Sequence, residues 1–141
     1  AGKLKNGGTS AAVLSELVKR LIEHLGQWCI EKVILSKQPD FIEKNQIILD
    51  ADKVGNIVLR YWKAGDRFSP RGINGSKKLA RVMRDLHISA GERRIWPLVA
   101  DENHIYWIAF LRGSNYGLPD KNTKKYLLIT LKKENREDEE S

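Results

Sequence analysis

From Trp28 onward turn residues cut the chain into short apolar runs, and this texture limits what it can fold into. Residues 29–35, 46–49, 56–62, 98–100, 104–111 and 125–131 are all of strand length. In the third run Ile57, Leu59 and Tyr61 alternate onto one face, and Asp101-Glu102-Asn103 between the fourth and fifth predicts a hairpin. Helical period interrupts this pattern at Leu79, Val82, Met83 and Leu86, the apolar stripe of a helix expected over 76–87. Ser89 and Glu92 form an S-x-x-E capping box that starts a shorter helix near 90–94, and Trp96-Pro97 ends it. Upstream, Val13, Leu14, Leu17, Val18, Leu21, Ile22 and Leu25 recur at steps of three and four. They predict a helix over 10–25, capped by Thr9 or Ser10 and ended by Gly26. The order of helix, strands, helix pair and strands gives an α+β fold, not a doubly wound one. The expected architecture is a mixed or antiparallel sheet with a basic helix pair packed on it and an N-terminal amphipathic helix. Residues 1–26 are expected to form a flexible lead plus a linker helix, 27–131 the domain proper, and 132–141 a charged tail.

With 141 residues the chain has the length of one domain, enough to bury a core without disulfides. No apolar run approaches the roughly 18 residues of a membrane-spanning helix, and no signal peptide is visible, so a cytoplasmic location is expected. The lone Cys29 rules out an internal disulfide or a zinc knuckle and fits a reducing compartment. The charge is more telling. Between Arg60 and Arg94 stand ten basic residues and three acidic ones, which equals the +7 of the whole chain. A quarter of the sequence therefore carries all of the excess, and a local field of this sign attracts polyanions, phosphate backbones first among them.

The densest part of that segment is Gly72-Ile73-Asn74-Gly75-Ser76-Lys77-Lys78. Its glycines would let backbone N–H groups approach an anion, and the lysines would stand in the first turn of the following helix, against its dipole. It is not a P-loop, since G-x-x-x-x-G-K-[ST] does not occur. His24, His87 and His104 have no ligand spacing. Cys29 reads as a small core residue. Asp66 reads as a turn residue paired with a nearby arginine rather than a catalytic acid. Trp28, Trp62, Trp96 and Trp107 read as core, although Trp62, between Arg60 and Lys63, is also placed to stack on a base or ribose.

Taken in order, Gly65-Asp66-Arg67-Phe68, Pro70-x-Gly72, Gly75-Ser76-Lys77-Lys78-Leu79, Glu92-Arg93, Trp96-Pro97-Leu98 and Ile105-x-Trp107 through Arg112 form a pattern. This pattern resembles the C-terminal domain of tRNA(Ile)-lysidine synthetase. The likeness runs from about Gln46 to Leu131. Phe110 stands where a glycine is expected, Met83 where an aromatic is common, and Ser89 where proline is common. The resemblance implies a parent enzyme of tRNA modification, an ATP-dependent carbon–nitrogen ligase that attaches lysine to the wobble cytidine of an isoleucine tRNA. Its ATP and Mg would be held by a catalytic domain with an SGGxDS loop, a motif absent from this sequence. No cofactor is expected in this fragment. By the same resemblance the domain is similar to a tRNA-binding module of the phenylalanyl-tRNA synthetase β subunit. It would be a non-catalytic tail that grips the acceptor stem, with the catalytic domain of the same enzyme as its second partner.

The residues expected to contact RNA are Arg67, Arg71, Lys77, Lys78, Arg81, Arg84 and Arg112. Lys77 and Lys78 would hold phosphates, Arg71 would reach across from the loop, and Arg81 and Arg84 would extend the track. Arg67 has a competing role in pairing with Asp66, and Arg112 has one as a structural residue. Two other classes compete. One is an inter-domain docking module with a basic face. The other is an independent enzyme built on Asp66 and the lysine pair, which requires a concave site with a strongly perturbed ionisable group.

Overall fold

The computed structural model describes residues 21–134. Twelve elements follow one another: β1 (Leu21–Leu25), β2 (Trp28–Leu35), β3 (Gln46–Asp50), β4 (Val58–Arg60), β5 (Arg67–Phe68), β6 (Lys77–Lys78), α1 (Leu79–Asp85), α2 (Ala90–Arg93), β7 (Leu98–Ala100), β8 (Ile105–Ile108), β9 (Arg112–Gly113) and β10 (Tyr126–Lys133). Among the described residues every strand pairing is antiparallel. The strands make two four-stranded sheets, β1-β2-β10-β3 and β9-β8-β7-β4, and a separate ribbon, β5-β6. The expectation of one sheet is thus corrected to two sheets and a ribbon.

Side-chain alternation explains why two sheets are needed. Along β10, Leu127, Ile129 and Leu131 are buried and their neighbours are not. They meet Ile30, Ile47 and Leu49 of their own sheet and Leu59, Val99 and Trp107 of the other, so one core fills the space between the sheets. All four residues of β8 are buried. A register shift between Val99 and Ala100 sets Tyr106 and Trp107 in this first core and Ile105 and Ile108 in a second. The second core lies against α1, whose Leu79, Val82 and Met83 are buried, with Phe68 and Ile88 beside them. The stripe read from the sequence is the stripe that packs.

Two helix expectations are corrected. Of the helix expected over 10–25, residues 10–20 lie outside the described residues. Residues 21–25 are strand β1, with His24 opposite Cys29 and Leu25 opposite Trp28. Gly26, at φ +59°, folds the chain back in a tight turn and does not end a helix. The strand also gives Glu23 a partner, because the ammonium of buried Lys32 donates to its carboxylate at 2.8 Å and to the carbonyl of Ile57 at 2.6 Å. The boundary expected at 26/27 therefore falls inside a hairpin, and β10 runs past 131 to Lys133. The helix expected over 76–87 is only Leu79–Asp85, because Lys77-Lys78 is drawn into a ribbon with Arg67-Phe68. The second helix starts as the capping box requires. The Glu92 N–H donates to Ser89 Oγ at 3.2 Å, and the Ser89 N–H donates to Glu92 Oε1 at 2.9 Å.

Candidate nucleic-acid interface

The ribbon and α1 bring most of the expected RNA contacts together. Arg67, Ser76, Lys77, Lys78, Arg81 and Arg84 line one open groove of about 530 Å³, and no carboxylate among the described residues lines it. All five cations are exposed. Arg67 stands directly opposite Lys78 in the ribbon, a like-charged cross-strand pair that costs stability on its own. Arg81 and Arg84 continue the row three residues apart on α1. Arg84 lies in the last turn, where a cation complements the helix dipole, while Lys78 at the N-cap makes no side-chain capping bond.

The structure corrects how the lysines are presented. They are strand residues, not first-turn helical ones. At the helix start the Leu79 N–H is already taken, since it donates to the carbonyl of Asp66 at 2.8 Å. The groove therefore offers side-chain cations on a hydrogen-bonded ribbon, not a cradle of backbone N–H groups.

Asp66 fixes the ribbon's entry. Arg60 grips its carboxylate with both Nη atoms, at 2.9 and 3.0 Å, and the Lys63 N–H donates to it at 2.8 Å. Burial raises the Asp66 pKa, but the Arg60 hydrogen bonds, the Lys63 N–H and the two cationic charges outweigh it and hold the carboxyl below its ordinary value. The partner is Arg60, and the pairing expected with Arg67 is corrected. Arg67 turns to Ser76 instead, donating from Nε to Oγ and from Nη2 to the carbonyl, each at 2.9 Å. Its guanidinium is locked across the two strands with a charge that no carboxylate answers. Asp66 is a structural clamp, and its lowered pKa suits that role better than proton transfer.

Arg71 and Arg112 stand apart from this groove. Arg112 Nη2 donates to the Arg71 carbonyl at 3.1 Å, and Arg71 Nε donates to the Ser114 carbonyl at 3.3 Å. Gly113 makes room for this, since a Cβ there would stand 2.7 Å from the Arg71 guanidinium. Burial, and next the neighbouring charge of Arg112, lower the Arg71 pKa. Asn115, to which no local sequence pattern points, pins the same loop. It accepts from the Gly72 N–H at 2.9 Å and donates to the carbonyls of Pro70 and Ile73 at 3.0 and 2.8 Å. These contacts join residues more than forty apart in the chain, which no local pattern announces.

Among the described residues no group of three or more His, Cys, Asp or Glu is set to hold a metal ion. His24 lies 3.4 Å from Glu134, and His104 stacks on Tyr116. Burial first, and then Glu134, push the Cys29 thiol up, away from reactivity. The Arg93 guanidinium lies 4.8 Å from the centre of the Trp62 ring, so that face of the indole is taken from within the protein. No helix among the described residues is long and apolar enough to cross a membrane.

Comparison with known proteins shows the family and the fold. The family model described as the TilS substrate C-terminal domain matches residues 57–129, which contain the ribbon, both helices and the second sheet. The tRNA(Ile)-lysidine synthase of Caldanaerobacter subterraneus subsp. tengcongensis is 40% identical over 115 residues, 80% of this chain and 25% of that protein. The synthase of Clostridium acetobutylicum is 40% identical over 92 residues, 64% of this chain and 20% of that protein. The chain thus spans about a quarter of the length of these relatives. A crystal structure of a TILS C-terminal domain superposes with a TM-score of 0.69 at 24% identity, covering 82% of this chain and 92% of that one. An N-terminal fragment of the phenylalanyl-tRNA synthetase β subunit from Pyrococcus horikoshii shares the fold, with a TM-score of 0.51 at 18% identity over 61% of this chain and 27% of that one.

Proposed function

The chain belongs to the TilS substrate C-terminal domain family, and from that membership we propose that it is the tRNA-binding tail of a tRNA(Ile)-lysidine synthase. It holds the tRNA by its acceptor stem and does no bond chemistry itself. The groove, lined among the described residues by five exposed cations and no carboxylate, carries this reading. An A-form stem is read mainly through phosphates, 2′-hydroxyls and shape, and a rigid row of cations meets that demand without base-specific contacts. Arg67, Lys77, Lys78, Arg81 and Arg84 contact the backbone. Arg71 and Arg112 hold the neighbouring loop and add to the field. Ligation, with its ATP and Mg, belongs to a catalytic domain outside this chain.

A second reading, docking onto another domain of the same enzyme, draws on a separate surface. Trp28, Tyr61, Ile95, Trp96, Pro97 and Phe110 line an apolar cleft, with Ile95 62% exposed. The two surfaces are compatible within one protein.

The test is binding of the chain to tRNA(Ile), to an unrelated tRNA and to a DNA duplex across a salt series. Each phosphate engaged contributes roughly −0.7 to −0.9 to the slope of log affinity against log salt. Preference for tRNA over DNA, with a slope reduced by about 1 to 2 in Lys77→Ala/Lys78→Ala, is the expected result. Equal binding to all three, or none, would overturn it.

A further inference from the structure

Behind the ribbon lies a second cavity of different chemistry, about 460 Å³ in volume. It shares one wall with the cationic groove, the Arg67–Ser76 pair, which lines both. Elsewhere its lining includes Lys63, Ser69, Glu102, Asn103, His104 and Tyr116. Two of its acids are spent internally, Asp66 on Arg60 and Asp101 on the Tyr106 hydroxyl and three backbone N–H groups. Glu102 is exposed and has no hydrogen-bonding or ionic partner among the described residues. A carboxylate there accepts from an amine, and with Lys63 on the same lining the cavity offers groups of both signs where the groove offers cations alone. Asn103 offers a donor and an acceptor, Lys63 offers further donors, and the Tyr116 hydroxyl, which accepts from Ser69 Oγ at 3.4 Å, keeps its own proton to donate. The Tyr116 ring is 39% exposed and is backed by His104, with ring centroids 3.8 Å apart and planes 26° from parallel. A flat, partly exposed ring, fixed from behind and ringed by mixed donors and acceptors, suits a nucleobase.

We propose that this cavity takes one unpaired nucleobase of an RNA whose phosphates lie in the adjoining groove, with the base stacked on Tyr116 and its edge read by Asn103 and Glu102. The juxtaposition carries the idea: a phosphate site and a base site separated by one locked guanidinium, as the repeat of a nucleotide chain requires. It rests on the tRNA-binding reading and adds a single-stranded contact to it. An unpaired base enters without the cost of leaving a duplex.

The test uses the full chain with two fluorescein-labelled RNA hairpins of identical stem, one blunt and one carrying a four-nucleotide single-stranded 3′ extension. The extension should tighten binding roughly tenfold, the scale of one base on an aromatic ring. The gain should vanish in Tyr116→Leu and persist in Tyr116→Phe, with affinity for the blunt stem and its salt slope unchanged in both. Asn103→Trp, at an exposed turn position on the lining, should abolish the gain by filling the cavity, and it serves if Tyr116→Leu fails to fold. No gain from the extension, or a gain untouched by Tyr116→Leu and Asn103→Trp, overturns the proposal. Failure of the blunt stem to bind overturns the groove reading alone. The cavity is then judged by whether the extended hairpin binds in a way that depends on Tyr116, and absence of such binding overturns it too.

Discussion

His87 holds a left-handed backbone, φ +66°, one residue beyond the C-cap of α1. Its N–H donates to the Arg84 carbonyl and the Ile88 N–H to the Met83 carbonyl, the two bonds of a Schellman ending, with Ile88 and Met83 both buried beneath it. Glycine is the residue this position favours, so His87→Gly should raise stability by up to about 1 kcal/mol in urea denaturation. Phe110 poses the same question with a different answer. It stands where a glycine is expected, and φ +69° supplies the reason. Its ring compensates by packing at a tilt against Trp28 and Trp107, with centroids 5.8 and 6.1 Å away. Both Phe110→Gly and Phe110→Ala lose those contacts, but only alanine keeps the strain. The glycine variant should therefore be the more stable of the two by about 1 kcal/mol. Asp101 sets the response to acid. Burial pushes its carboxyl up, but the Tyr106 hydroxyl and the N–H groups of Gly55, His104 and Asn103 overcome this and hold it at about 2, against an ordinary 3.8. Burial and that same carboxylate raise the Tyr106 phenol. A depressed carboxyl stabilises the fold above its unfolded value and loses that contribution as pH falls through its folded value. On the order of 2 kcal/mol should therefore disappear between about pH 4 and pH 2. Urea midpoints followed across that window should fall more steeply for the native chain than for Asp101→Asn.

Among the elements, the ribbon β5-β6 depends on residues that need not touch RNA. Asp66 fastens its start through Arg60, and Ser76 holds Arg67 across it. Asp66→Ala removes no cation and even raises the net positive charge, so a purely electrostatic groove would bind RNA more tightly. If the ribbon's geometry matters, affinity should fall several-fold while the salt slope stays, and a stability loss of about 1.5–3 kcal/mol should accompany it. Salt-dependent binding and urea denaturation of the same variant distinguish the two. Here also lies the division between what the sequence disclosed and what it hid. The α1 stripe, the capping box and four of the six strand runs rest on spacings within a few residues and survive in the structure, whereas the runs 56–62 and 104–111 shorten to Val58–Arg60 and Ile105–Ile108. The pairing of Lys77-Lys78 with Arg67-Phe68 depends on closing the loop 69–76, and the helix signal that begins at Leu79, directly after Lys78, masks it. Strand β1 is hidden in the same way, since Leu21, Ile22 and Leu25 satisfy a helical period as well as an edge strand. Glu23 facing Lys32 decides between them, and that is a contact between strands. For the site, the basic composition disclosed the residue types, but whether they converge is a tertiary fact. Arg67, Lys77, Lys78, Arg81 and Arg84 line one groove, while Arg71 and Arg112 are drawn to each other.

At the scale of the whole molecule the structure separates charge from core. The inter-sheet core takes its side chains mostly from β2, β3, β8 and β10, while the groove belongs to the ribbon and α1, at the far side of the second sheet. Charge-removing substitutions in the groove should thus leave folding intact. Lys77→Ala/Lys78→Ala should change thermal stability little in dilute buffer, or raise it. The opposition of Arg67 to Lys78, with three further cations beside them, means that the empty protein is wound like a spring against itself. Whatever neutralises that groove releases the tension, so the protein reports its own occupancy through its melting temperature. At equal ionic strength, sulfate or short polyphosphate should lift the melting point where chloride barely does. The lift should vanish with the lysines, turning a routine thermal scan into a detector for the shape and spacing of any anion that the groove accepts.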